Sequence, residues 1–126
     1  MSDDAGFREL IGTEVSEAEE GRAVARLQVE GRHLNPNGTV HGGVVYTLVD
    51  VSMAEALRTM IEGEGRPVTI EIKINYLEPG KPGTLYSAAR IRKAGGRITI
   101  VEAEVSQEDS GEVVALATGT YTLIDG

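Results

Sequence analysis

Length, composition and charge restrict the classes of protein to which this sequence can belong. The chain has 126 residues, of which 40% are hydrophobic and 25% are charged, and this is typical of one compact globular domain. It contains no cysteine, so disulfide bonds, thiolate metal ligands and a cysteine nucleophile are excluded. Twenty acidic and twelve basic residues give a net charge of −8, which disfavours general binding to nucleic acid or to an anionic membrane.

The sequence shows no sign of membrane insertion, export or internal division. It has no apolar run of about eighteen residues, the length that a transmembrane helix requires. The first four residues are acidic or neutral and do not follow the basic-then-apolar pattern of a signal peptide. No repeat or linker is present. We therefore expect one domain over residues 1–126 and a cytoplasmic location.

The first half of the chain predicts a short helix, a strand and one long helix. The short helix is expected at about residues 4–11, and alternation of apolar and polar residues predicts a half-buried strand at 22–30. Turn-forming residues follow at 31–40. From about 41 to 62, apolar residues recur at spacings of three and four, which predicts a helix apolar over more than half of its circumference. The short helix is expected to carry on one side Phe7, Leu10 and Ile11.

The second half of the chain predicts four strands. Residues 68–76 alternate, so that Ile70 and Ile72 are expected on one face and Thr69 on the other. Short connections between the strands predict hairpins and an antiparallel sheet. The predicted fold class is α+β, with a sheet of five to six strands around the long helix. The remaining strands are predicted near residues 84–93, 97–107 and 112–124.

Two glycines at the start of the long helix are candidates for binding a carbonyl oxygen. Gly42 and Gly43 lie where unpaired backbone N–H groups meet the positive end of the helix dipole. Such groups can stabilise a carbonyl oxygen that becomes negative during attack. The alternative is that the two glycines only allow close packing at the helix start.

Asp50 is the second candidate, because it interrupts the apolar sequence of the same helix. No Lys or Arg lies within four residues of it, and a carboxylate buried among apolar neighbours is frequent at active sites. The alternative is an exposed position on the helix. Eight residues separate Gly42 from Asp50, or about 12 Å along a helix. Both can act on one carbonyl only if they belong to different chains, so two catalytic roles would require at least a dimer.

The two histidines, His33 and His41, do not predict a metal site or a serine hydrolase. Their spacing is unlike that of zinc ligands, and no serine lies in a nucleophile elbow. We interpret His41 as a residue that orients the loop before the helix by hydrogen bonding.

The segment from Asn35 to Asp50, with the pattern Asn-(x)5-His-Gly-Gly-(x)6-Asp, resembles the hotdog-fold thioesterases of the phenylacetate-degradation (PaaI-like) group. Residues 68–80, which end in Pro-Gly, are similar to the next strand and turn of that family, and the resemblance covers about residues 7–124. It implies a hotdog fold and hydrolysis of acyl-CoA thioesters by a homotetramer, a dimer of dimers. Coenzyme A would be a product released from the substrate, and no bound cofactor is expected.

The resemblance also implies roles for individual residues. Asp50 of one chain would act as nucleophile or general base, and Gly42 of the other chain would donate its N–H to the thioester carbonyl. Asn35 would hold the substrate or a water molecule, His41 would support the loop, and Thr69 would position the water. Further candidates for contact with the substrate or with coenzyme A phosphates are Gly43, Arg90, Arg92, Lys93, Arg97 and Lys81.

Several alternatives stay open at this point. The basic residues near position 93 are either phosphate ligands or part of a solvated hairpin tip, and Tyr46, Met53 and Leu57 either line an acyl pocket or belong to the core. A non-catalytic acyl-CoA-binding or regulatory hotdog domain is the main functional alternative, although it would not need Asp50. A hotdog hydratase is less consistent with the sequence, because its His-Asp motif is not found.

Overall fold

The computed structural model describes residues 6–124 as two α-helices, one 3₁₀ turn and six strands. The short helix at the N-terminal end is α1 and the long one is α2. In chain order the elements are α1 (Phe7–Ile11), β1 (Glu14–Glu19), β2 (Arg22–Gln28), the 3₁₀ turn (Gly31–His33), α2 (Gly42–Arg58), β3 (Arg66–Tyr76), β4 (Thr84–Ala94), β5 (Thr99–Gln107) and β6 (Val113–Ile124).

The six strands form one antiparallel sheet in the order β1-β2-β4-β5-β6-β3. The α+β class, the number of strands and the antiparallel pairing are confirmed, and the last three strands begin and end within two residues of the predicted bounds. β1 and β3 are the two edges of the sheet. β1 is short, its side chains are all exposed and a bulge interrupts it, whereas β3 is eleven residues long.

The core lies between α2 and one face of the sheet. The α2 side chains of Leu48, Val49, Met53 and Ala56 have no exposed surface. They pack against alternate residues of the strands, because every second side chain of a strand points to the same face. The fully buried residues on the strand side are Ala25, Leu85, Val101, Val105 and Ala115.

Both helices are shorter than predicted. α2 ends at Arg58 and not near residue 62, because the hydroxyl of Thr59 accepts from the Gly21 amide and donates to the Ala56 carbonyl. The chain then leaves the helix through tighter turn bonds and a glycine with positive φ at residue 63. α1 begins at Phe7, and the part of its prediction at residues 4–5 lies outside the described residues.

The predicted apolar side of α1 is only partly buried. Ile11 packs against the core, but Phe7 and Leu10 are 61% and 64% exposed. An ion pair of 2.8 Å between Arg8 and Glu55 joins α1 to α2. A five-residue helix gains little from its own hydrogen bonds, so these few contacts define its position.

The alternation predicted for β3 is wrong at its start, because the strand contains a bulge. The register against β6 shifts between Thr69 and Glu71, so Ile70 is an extra residue with no partner. Thr69 lies opposite the buried Tyr121 and therefore shares the helix-facing side with Ile72. The prediction had placed Thr69 and Ile72 on opposite faces.

Among residues 6–124, no helix has the length and hydropathy needed to cross a bilayer.

Gly119 on β6 supports a stability prediction, since a methyl group there would lie 2.6 Å from Met53 Sδ and 3.0 Å from Tyr121 Cε1. Both neighbours are buried, so one of them must shift within the packed core to admit the methyl group. We expect Gly119→Ala to lower the free energy of unfolding by about 1–3 kcal/mol in urea titrations. Gly96→Ala is the control, because a methyl group at residue 96 would touch nothing within 4 Å. An equal loss in both variants would contradict the packing argument.

Candidate active site

Asp50 lies on the half-buried margin of α2, where two hydroxyl groups from the sheet donate to it. Tyr121 Oη lies 2.7 Å and Thr69 Oγ1 lies 3.2 Å from the same carboxylate oxygen, Oδ1. The bulge at Ile70 makes this contact possible, because it brings Thr69 to the side of β3 that faces the helix. Asp50 therefore has neutral donors as partners and is less deeply buried than the sequence suggested.

Tyr121 was missed by the sequence analysis, although it makes the shortest contact with Asp50. Its side chain is 1% exposed. Burial, followed by the charge of Asp50 and the hydrogen bond to it, raises the pKa of the Tyr121 hydroxyl above its ordinary value of about 10. It thus stays a proton donor at neutral pH. The sequence contained a signal for this contact. The alternation along β6 places Tyr121 on the face that covers the helix, and a buried tyrosine hydroxyl needs a polar partner.

At the start of α2, the two glycine amides have different partners. The Gly43 N–H donates to His41 Nδ1 over 2.9 Å, so it is already engaged. No acceptor for the Gly42 N–H is found within the described residues. His41 is exposed and caps the helix, and its own amide donates to the His33 carbonyl. Of the two glycines, Gly42 is the one that presents an unused donor.

Tyr76, at the end of β3, was also missed and lies against Gly42. Its hydroxyl donates to the Gly42 carbonyl over 2.8 Å, and its ring lies 3.4 Å from where a Gly42 side chain would begin. Burial, followed by the nearby Tyr46, raises the pKa of Tyr76 above its ordinary value. A cavity of about 320 Å³ opens beside Gly42 and Tyr76. Its other lining residues are Val40, Val45, Leu77, Glu78, Pro79, Gly80 and Val114.

Asn35 organises the loop that precedes the helix. Its Oδ1 accepts from the amides of Asn37 and Thr39, and its Nδ2 donates to Thr39 Oγ1. One Nδ2 hydrogen is not used by these bonds, because a side-chain amide has two. The same loop is anchored by the buried His33, whose Nδ1 accepts from the Glu30 amide and whose Nε2–H donates to the Ile11 carbonyl. His33 is therefore a structural residue.

Within one chain the two halves of the site lie at opposite ends of β3. Asp50 contacts Thr69 near the start of the strand, and Gly42 contacts Tyr76 at its end. The structure therefore brings Asp50 together with Thr69 and Tyr121, and it places Gly42 beside His41 and Tyr76. The side-chain bonds of Asn35 stay within the loop that precedes the helix. The structure does not bring Asp50 to Gly42.

The candidate phosphate ligands lie in three different places. Arg90 and Arg92 lie 3.9 Å and 3.5 Å from Glu102, which offsets part of their charge. Arg90 also lines a cavity of about 960 Å³ that contains neither Asp50 nor Gly42. Lys93 and Arg97 are exposed at the β4–β5 hairpin, and this tip lies at the Asp50 end of the sheet because Thr99 is paired with Tyr121. Lys81 is exposed in the turn before β4, close to the opposite end of the sheet.

The three candidate acyl-pocket residues differ in burial. Met53 and Leu57 are buried in the core and line neither of the two cavities. Tyr46, near the start of α2, is 37% exposed.

Comparison with known proteins identifies the family and fold of this chain. Residues 37–114 match the model of the thioesterase superfamily. Human acyl-coenzyme A thioesterase 13 is 30% identical, with 98% of this chain and 89% of the human protein covered. The structure of the E. coli PaaI protein from the phenylacetic acid degradation operon has a TM-score of 0.89 and 26% identity, covering 98% of this chain and 88% of PaaI.

A mutant structure of the phenylacetic acid degradation protein PaaI from Thermus thermophilus is also similar. Its TM-score is 0.83 at 31% identity, with 92% of this chain and 96% of that chain covered. The chain thus belongs to the thioesterase superfamily, and it is a thioester hydrolase with the hotdog fold. The family and fold predicted from the Asn35–Asp50 pattern are confirmed.

The raised pKa of Tyr121 predicts a loss of stability at alkaline pH. In the unfolded chain a tyrosine ionises near pH 10, whereas folded Tyr121 keeps its proton to higher pH. Above about pH 10 the folded chain therefore binds more protons, and the free energy of unfolding falls as the pH rises. Urea unfolding between pH 8 and pH 11 should show this fall, and it should be smaller in Tyr121→Phe. Equal pH dependence in both proteins would contradict the assignment.

Proposed function

We propose that this chain is an acyl-CoA thioesterase that hydrolyses an aryl-acetyl-CoA or a medium- to long-chain acyl-CoA to the free acid and coenzyme A. The observation that carries the proposal is the unused Gly42 amide at one end of β3, combined with a carboxylate, Asp50, at the other. The names of the human and E. coli relatives support the substrate class.

The chemistry needs a nucleophile and a donor for the carbonyl oxygen. In the direct route, an Asp50 oxygen attacks the thioester carbon, the C–S bond breaks, and water then hydrolyses the resulting mixed anhydride. In the general-base route, Asp50 takes a proton from water, the hydroxide attacks, and the coenzyme A thiolate leaves and is protonated. The Gly42 N–H would stabilise the negative charge on the carbonyl oxygen in both routes.

Asp50 and Gly42 would meet across a homodimer interface formed by β3. The outer edge of this strand has no partner within residues 6–124, and Ile70 and Tyr76 are 54% and 50% exposed on it. Two β3 strands that pair antiparallel about a twofold axis would place the start of each beside the end of the other. Each Asp50 would then approach the Gly42 of the other chain, and each dimer would have two sites.

The remaining residues have supporting roles in this proposal. Asn35 would use its spare Nδ2 hydrogen to hold substrate or water, while His41 and Gly43 would keep the helix start in place for substrate binding. Thr69 would position the attacking water beside Asp50. The acyl group would enter the apolar cavity beside Gly42. Coenzyme A phosphates would be bound at the β4–β5 hairpin by Arg90, Arg92, Lys93 and Arg97.

We also propose the assembly that the family resemblance implies, together with the domain organisation and location expected from the sequence. Residues 1–126 would form one domain, two dimers would associate as a tetramer, and the protein would act in the cytoplasm.

The first test is thiol release from a panel of aryl-acetyl- and fatty-acyl-CoA esters, measured for the wild type beside Asp50→Asn. Loss of the reacting carboxylate should lower kcat by about 10²- to 10⁴-fold. Glu55→Gln is a matched control, since Glu55 is a carboxylate on the same helix that pairs with Arg8 and Arg58. If no ester releases thiol although acyl-CoA binds tightly, the proposal is wrong and the chain is a non-catalytic acyl-CoA-binding domain.

The shared site is tested by Gly42→Pro beside Gly42→Ala. Proline fits the first position of a helix, and His41 has the extended ψ of 136° that a residue before proline prefers. Gly42→Pro removes the proposed oxyanion donor and places a ring carbon where the N–H pointed, so kcat should fall by at least about 10²- to 10³-fold. Gly42→Ala keeps the N–H, and its methyl group would meet the Tyr76 ring at an ordinary 3.4 Å, so activity should largely remain.

Mixed oligomers separate a shared site from a site within one chain. Gly42→Pro and Asp50→Asn chains, co-expressed in equal amounts with different tags, should recover about a quarter of wild-type activity. One intact site then forms in each mixed dimer, and half of the dimers are mixed. Oligomers that form but stay inactive would exclude the interfacial arrangement.

A further inference from the structure

Asp50 accepts both of its hydrogen bonds on one oxygen. Tyr121 and Thr69 donate to Oδ1 over 2.7 Å and 3.2 Å. No donor to Oδ2 is found among residues 6–124. The carboxylate therefore has one oxygen bound to the sheet and one that is available for chemistry.

The two donors differ in rigidity. Tyr121 is 1% exposed on β6, between β5 and β3, with Thr99 and Thr69 as its neighbours across the sheet. Its ring packs beside Met53 and over Gly119. Thr69, in contrast, is exposed on the edge strand next to the bulge. Because a buried ring on an inner strand has few alternative rotamers, Tyr121 provides the more precise anchor.

We propose that Tyr121 is a positioning residue, whose hydroxyl fixes Oδ1 of Asp50 and thereby makes Oδ2 the oxygen that reacts. This inference rests on the proposed thioesterase function. Tyr121 does not touch the substrate in this scheme and acts only through Asp50. In the general-base route Oδ2 takes the water proton, and in the direct route Oδ2 forms the bond to the thioester carbon while the C–S bond breaks.

The first experiment compares kcat and KM for thiol release by the wild type and Tyr121→Phe. Phenylalanine keeps the ring that fills the core and removes only the donor. We expect kcat to fall about tenfold or more, because the hydrogen bond is to a charged group, with KM within about twofold. Tyr86→Phe is the control, since Tyr86 lies on the opposite face of the sheet with Arg26 over its ring. It should match the wild type.

A double-mutant cycle separates positioning from a general structural effect. Thr69→Val removes the second donor to Oδ1 without changing the shape of the side chain. Because Thr69 still holds Oδ1 in part once the Tyr121 hydroxyl is lost, Tyr121→Phe combined with Thr69→Val should lower kcat by more than the product of the two single effects. A structural role for Tyr121 predicts independent effects on kcat, and that result would overturn the proposal.

The outcomes distinguish this inference from the proposed function. If Asp50→Asn abolishes thiol release and Tyr121→Phe retains the kcat of the wild type, only the role of Tyr121 is wrong. If the wild type releases no thiol, or Asp50→Asn keeps full activity, the proposed function itself fails.

If Tyr121→Phe does not fold, ¹³Cζ-tyrosine NMR provides the test. The Tyr121 signal should shift between the wild type and Asp50→Ala while the Tyr86 signal stays in place. An unchanged Tyr121 signal would overturn the proposal.

Discussion

An apolar helix that carries one carboxylate on its margin is the constraint on which this fold and its site both depend. The α2 side chains of Leu48, Val49 and Met53 need to be covered on several sides, and a curved sheet can do this with alternate side chains of its strands. Asp50 needs hydrogen-bond donors at the border of the same interface. The sheet meets both needs, because Tyr121 and Thr69 extend the face that covers the helix.

The edge strand β3 contacts both halves of the candidate site. Its start holds the donor to Asp50, and its end holds Tyr76, which contacts the carbonyl of Gly42. The bulge at Ile70 adjusts which side chain faces the helix at the start of the strand without changing the rest of its pairing. A single strand therefore determines the position of two groups that are too far apart to act together within one chain.

The features that the sequence predicted are the local ones. Spacings of three and four identified α2, and the segment from Asn35 to Asp50 identified the family, because both patterns lie within a short stretch of chain. The face of Thr69 was predicted wrongly, because a bulge adds a residue without a distinctive sequence signal. Tyr121 was missed because it lies 71 positions after Asp50 in the chain, so only the packing of α2 against the sheet brings the two together.

The two edges of the sheet are not equivalent, and this difference affects how readily each edge can pair with another strand. β1 is only six residues long, contains three glutamates and has a bulge after Val15, all of which oppose the addition of another strand. β3 is nearly twice as long and exposes apolar side chains. If two copies paired through β3, the outer edges of the combined sheet would both be β1 strands, which resist further pairing. In the proposed dimer, the same asymmetry would therefore oppose open-ended fibril formation.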